Sequence, residues 1–157
     1  MGAVLEDLRM LKDAERIADG IWKGVVSWDA FAKDVVGGQL ARAADSIGAN
    51  IAESYGRFHY GEKLKFLYYA RGSLYETKFW LNRALARQLL ETEIVDEYAR
   101  QLGGLARQLN AFINSIKQQR GNSRSPAIRE ETTAYAIPTH EPLFSEEELN
   151  WLESPPD

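Results

Sequence analysis

The sequence predicts an all-α fold: an antiparallel, up-down-up-down four-helix bundle with a C-terminal acidic extension. Three observations carry that expectation. Apolar residues recur at steps of three and four along four successive segments, which puts one stripe on one side of a helix. Short connectors join these segments, so that neighbours run antiparallel. No stretch shows the alternation of a half-buried strand.

The first segment runs from Val4 to Val25 on Val4, Leu8, Leu11, Ala14, Ala18, Ile21 and Val25. SWDAFAKD reads as the connector after it, and Gly37 and Gly38 stand just before the next pattern. Leu40, Ala44, Ile47, Ile51 and Phe58 form the second stripe, broken by Ser54, while Gly56 and Gly61 mark its end and the turn beyond. A third helix extends from about Glu62 to about Leu89, with Leu67, Ala70, Leu74, Leu81 and Leu85 on its core face. Thr92 is placed as the N-cap of the fourth, with Glu93 in its first turn. Ile94, Tyr98, Leu102, Leu105, Leu109, Phe112 and Ile116 supply its stripe.

The third helix carries more aromatic residues than one face needs. Phe66, Tyr69 and Trp80 lie beside its leucines, and Tyr68, Tyr75 and Phe79 lie elsewhere around it. Either its core face is wide, or part of its surface meets another chain.

Residues 1–119 thus make the bundle, and residues 120–157 make the extension. After Lys117, QQRGNSRSPAIREETTAYAIPTHEP is polar, contains proline and has no period, the marks of an extended linker. LFSEEELNWLES follows. Ser145 and Glu148 have the spacing of a capping box, with Phe144 and Leu149 as its hydrophobic staple. A short acidic amphipathic helix would present Leu149, Trp151 and Leu152, and with Phe144 these are the candidate docking residues of the tail. Its seat is its own bundle, a neighbouring subunit or another protein.

Charge divides along the same boundary. Residues 1–119 carry 16 Lys/Arg against 15 Asp/Glu, and residues 120–157 carry 3 against 8. The body is nearly neutral and the tail acidic, so net charge alone selects no polyanionic partner. The absence of cysteine excludes disulfides, thiolate metal sites and cysteine catalysis. The start, MGAVLEDLRMLKDAE, lacks the layout of a signal peptide, and no apolar run approaches the roughly 20 residues that span a bilayer. A cytoplasmic protein without membrane contact is expected.

Catalytic constellations are missing from the pattern. His59 falls in a turn and His140 in the tail, neither with a second ligand at metal spacing. Gly37-Gly38 and Gly103-Gly104 match no phosphate-binding fingerprint. No Glu-x-x-His pair of the di-metal bundles occurs. The expectation is no enzyme, no metal, no cofactor and no catalytic residue.

Basic residues offer candidates for contact with nucleic acid. Arg9, Lys12, Arg16 and Lys23 share a face of the first helix, Arg83 and Arg87 are an i,i+4 pair, and Arg100 and Arg107 share a face of the last. Asp13, Asp19, Glu93 and Asp96 are interspersed, so in a monomer a solvated charged face is the favoured reading. Repetition around a symmetric oligomer would strengthen the field.

In SIGANIAESYGRF of the second helix, Ser46, Asn50, Glu53 and Arg57 follow one another by four, three and four residues, on one face beside the apolar stripe. Arg42 extends that face, and Glu76 is the acid of GSLYE in the third helix. Charges near a core are tolerated only when paired and hydrogen-bonded, which predicts a structural polar network of these six where the two helices meet.

ARAADSIGANIAESYGRF and the later KFLYYARGSLYETKFWL resemble the 23S rRNA-intervening-sequence proteins, bacterial four-helix bundles similar in turn to the accessory variability determinant proteins of diversity-generating retroelements. The resemblance rests on Arg42, Ser46-Ile47, Asn50-Ile51-Ala52-Glu53, Gly56-Arg57, Gly72-Ser73-Leu74 and Glu76, within a likeness over roughly residues 5–119. Ser54 stands where the family usually has glycine, and the short family members lack the 120–157 extension. The resemblance implies a ring-like homopentamer and, from the retroelement relatives, binding to RNA or DNA and to a reverse transcriptase. The function expected is therefore a non-enzymatic oligomeric scaffold that binds nucleic acid. A protein–protein adaptor acting through the tail helix is the alternative.

Overall fold

The computed structural model describes residues 2–123. The linker and the tail residues Phe144, Leu149, Trp151 and Leu152 lie outside them. Four long helices, α1 (Gly2–Val25), α3 (Gly38–Tyr55), α4 (Tyr60–Ala86) and α5 (Thr92–Asn122), form the bundle; a single turn, α2 (Ala30–Ala32), and a π-helical segment (Lys33–Gly37) lead into α3. Helix α1 packs against α3 and α5, and α4 packs against the same two, so each long helix touches its neighbours in a ring. No strand occurs among the described residues, and no helix there is long and apolar enough to cross a membrane.

The core is one cluster running the length of the bundle. Ile17 and Ile21 of α1, Ile47 and Ile51 of α3, Leu67 and Leu74 of α4, and Leu105 and Leu109 of α5 are all buried in it. Among the described residues three polar side chains are buried too, and each bonds back to its own helix. The Ser54 hydroxyl donates to the Ile51 carbonyl at 2.7 Å, Ser73 to that of Tyr69 at 3.0 Å, and Thr77 to that of Ser73 at 2.8 Å. Ser54 therefore does not break the second stripe; its polarity is satisfied within one turn.

The connector expected at SWDAFAKD is mostly helix. Asp29 caps it, its carboxylate accepting from the Ala32 amide at 3.0 Å, and the chain then stays helical through the π segment into α3. The wider π turn carries one extra residue and brings Val36 and Gly37 into the interior. A Cβ on Gly37 would stand 2.5 Å from the Val25 side chain, so the end of α1 and the start of the second limb pack on bare backbone.

Two expected core positions are at the surface. Phe58 is 88% exposed because α3 ends at Tyr55, which places it in the turn before α4. Ile94 is 46% exposed, and Val95 takes the buried place at the start of α5. Thr92 is the first residue of that helix, and the preceding Glu91 makes no side-chain cap bond. At the other end of the same connection α4 closes with a Schellman motif: the Leu89 amide bonds the Ala84 carbonyl at 2.8 Å and the Gln88 amide bonds that of Leu85 at 2.9 Å. Gln88 sits at φ 57°, a left-handed conformation that favours glycine.

Opposite stability changes follow at these two sites. Gly37→Ala is expected to destabilise by about 1–3 kcal/mol, since the added methyl overlaps Val25 in a packed interior. Gln88→Gly is expected to stabilise by roughly 1 kcal/mol by relieving the left-handed backbone. Urea unfolding of the full chain checks both.

Candidate functional site

The row Ser46, Asn50, Glu53 and Arg57 runs along the flank of α3 beside α4. The Asn50 amide donates to the Ser46 carbonyl at 2.8 Å and reaches the Ser73 hydroxyl of α4 at 3.5 Å. Arg57, just past the end of α3, pairs with the Glu53 carboxylate, and its guanidinium lies 4.7 Å from the centre of the Phe66 ring. With 38% and 46% of their side-chain surface exposed, this pair contributes within the range of surface ion pairs, about 0.2–1 kcal/mol.

Arg42 and Glu76 are exposed, and no hydrogen bond or ion pair among the described residues ties them to this row. Glu76 precedes the buried Thr77, and one residue is a turn of about 100° on a helix, which points it outward. The residue that links the row to α4 is Ser73, beside the GSLYE acid. Its small side chain within an apolar stripe was the available signal.

The cations of α1 and α5 face acids. Asp13 is approached by Arg16 at 2.9 Å and Arg9 at 3.9 Å, and it also accepts from Gln108 of α5 at 2.8 Å. Lys12, Arg16 and Lys23 line a groove between α1 and α5 together with Glu15, Asp19 and Glu97, an equal number of opposite charges. Arg100 bonds Glu97 at 2.6 Å, and Arg107 is exposed further along α5. This groove presents little net field to a phosphate.

The outward face of α4 is different. Lys65, Tyr69, Gly72, Glu76, Phe79 and Arg83 recur by four, three, four, three and four residues, so they form one solvent-facing stripe, and all six are exposed. Tyr69 is 50% and Phe79 53% exposed. The stripe's cations lie over its rings: Lys65 is 5.8 Å from the centre of Tyr69, and Arg83 is 5.8 Å from that of Phe79. On the flanks Arg71 covers Tyr68 and Lys78 covers Tyr75, each at 5.6 Å. Helix α4 holds five Lys/Arg against two Asp/Glu, a net charge of +3 that no other long helix approaches. Arg87 is exposed just beyond its last turn. Of the candidate cations only Arg83 and Arg87 belong to this region; the i,i+4 pairs Lys65–Tyr69 and Phe79–Arg83 were the sequence signal for the rest. Among the described residues no group of three His, Asp or Glu side chains is placed to hold a metal ion.

A family model, that of the 23S rRNA-intervening sequence protein, matches residues 6–111, and the chain belongs to that family. No curated protein matches the sequence.

The α1–α5 groove supplies a pH-dependent prediction. Glu97 accepts from the Gln101 amide at 2.8 Å and from Arg100, and these bonds, Gln101's first, hold its carboxyl below the ordinary glutamate value. A carboxyl lowered in the folded state adds stability that is present above its unfolded pKa and is lost as pH falls through the lowered one. Gln101→Ala and Arg100→Ala are each expected to move the Glu97 titration upward, as read by carboxyl-carbon NMR shifts across the acid range.

Proposed function

We propose that this member of the 23S rRNA-intervening sequence protein family is a non-enzymatic, cytoplasmic, oligomeric scaffold that binds nucleic acid through the outward face of α4. The observation that carries the reading is the stripe of exposed aromatic rings overlaid by cations on the most basic helix. Single strands are held by rings on which bases stack and by cations that follow the phosphates, and this stripe offers two rings flanked by two cations. The α1–α5 groove, with its charges balanced, takes no part.

Self-association is supported by a second surface. Trp22 and Val26 near the end of α1, and Phe31 and Val35 in the turns that follow, are 58%, 43%, 77% and 41% exposed. Large apolar side chains concentrated at one end of a bundle are a usual mark of a protein contact. In this reading the assembly is the homopentamer implied by the likeness at Arg42–Glu76, and it repeats the α4 face around a ring. The same likeness makes a reverse transcriptase the protein partner.

Binding isotherms of the full chain with a single-stranded oligonucleotide, taken over a salt series, test the reading. Lys65→Ala or Arg83→Ala is expected to weaken binding and to reduce the slope of log K against log salt by about 0.7 each. Tyr69→Ala is expected to cost about 1–3 kcal/mol through lost stacking. Lys12→Ala and Arg16→Ala should leave binding unchanged. Absent binding at low salt, or binding indifferent to salt, overturns the proposal.

A further inference from the structure

We infer that the acidic segment 143–153 of this chain docks on the outward face of its own α4, with Trp151 against the stretch between Tyr69 and Phe79. The surface is built for a cover. Gly72 lies between the two rings, and nothing stands within 4 Å of where its Cβ would be, which leaves a notch of bare helix between two half-exposed aromatics. In water that notch costs stability, since glycine inside a helix is about 1 kcal/mol worse than alanine. A flat apolar side chain from outside fills it without a steric conflict.

Charge selects the occupant. Residues 124–157 carry two Lys/Arg against eight Asp/Glu, and α4 carries the largest positive excess of the long helices. Within the segment Glu146, Glu147 and Glu148 directly precede Leu149, Trp151 and Leu152, so acid and apolar groups arrive together. Lys65 and Arg83 bracket the two rings on α4, with the stripe's one acid, Glu76, between the rings, so the segment's acids meet cations toward the ends of the stripe.

Reach permits the contact. Helix α5 runs antiparallel to α4, so the chain leaves it at the end where α4 begins. Nineteen residues lie between Ser123 and Leu143, a tether of twenty steps. At about 3.3 Å per residue they span up to roughly 66 Å, beyond the roughly 40 Å length of a 27-residue helix such as α4. A segment tethered this closely meets the face at millimolar effective concentration, so modest contacts suffice. The docking does not depend on nucleic-acid binding; where both occur, they compete for one face.

The chain contains no cysteine, so an introduced pair reports without background. Gly72→Cys with Asn150→Cys, in the full chain with oxidised glutathione, is expected to form a disulfide within the chain at least tenfold faster than Lys12→Cys with Asn150→Cys. Adding Trp151→Ala, or raising the salt concentration, should bring the rate toward that control. Equal rates for the two pairs, or disulfides formed only between chains, overturn the inference. Helical circular dichroism of each variant confirms that the bundle is intact. Oligonucleotide binding measured on Trp151→Ala separates the two readings: fast trapping without any binding overturns the nucleic-acid role alone, and binding with control-rate trapping overturns the docking alone.

Discussion

The seam between α3 and α4 is the constraint on which the rest of the molecule depends. It is the most extensive helix contact in the bundle, and both helices bury several small side chains. Ala43 and Ser54 on α3, and Ala70, Ser73, Thr77 and Ala84 on α4, are buried. Small residues let two backbones approach, and the three hydroxyls are tolerated because each returns its hydrogen bond to its own helix. A larger side chain at Ser73 would push the helices apart and remove the reach of Asn50 across the seam. Ser54 meets the same demand with a single hydroxymethyl, its hydroxyl bonded within its own turn.

A seam of small residues has a consequence for the large ones. Helix α4 carries Phe66, Tyr68, Tyr69, Tyr75, Phe79 and Trp80, and none of them is fully buried. They are displaced to the flanks and to the outer face. There Tyr68, Tyr69, Tyr75 and Phe79 are each covered by a cation of the same helix, because Lys and Arg three or four residues away share their side. The stripe of rings and cations is thus the outer side of a helix whose inner side carries leucines and small residues. Charge on α1 and α5 follows the opposite course: Asp13 gathers Arg9, Arg16 and Gln108 around one carboxylate, which ties those two helices together and cancels their field.

Much of this was legible in the sequence, for a physical reason. Stripes such as Leu67, Ala70, Leu74 and Leu81 repeat over several turns, and a long period is hard to imitate by chance. Positions at helix ends were not legible, because a stripe does not say where it stops. Phe58 continues the spacing of Ile47 and Ile51 but lies beyond Tyr55, and Ile94 loses its place to Val95. The π segment was hidden because its extra residue interrupts the very period used to find helices. In the polar row, Ser46, Asn50, Glu53 and Arg57 were grouped by spacing alone. Glu76 could not be placed that way, since spacing within one helix carries no information about the rotation of its neighbour.

The aromatic surplus of α4 had two readings at the level of sequence, a wide core face or a surface for another molecule, and burial distinguishes them residue by residue. Trp80, Tyr68 and Tyr75 are half-buried against the core cluster, so for them the wide face is the explanation. Tyr69 and Phe79 are not, and packing among the described residues gives no reason for them or for the glycine between them. Helix propensity and a solvated face would put alanine at Gly72 and charged residues at Tyr69 and Phe79, as Glu76 between them already is. Three positions in one register therefore depart from what a solvated helix face favours, each by an amount comparable to a surface contact. Departures that coincide on a single stripe are explained together by one occupant that stacks on the rings and approaches the bare backbone between them.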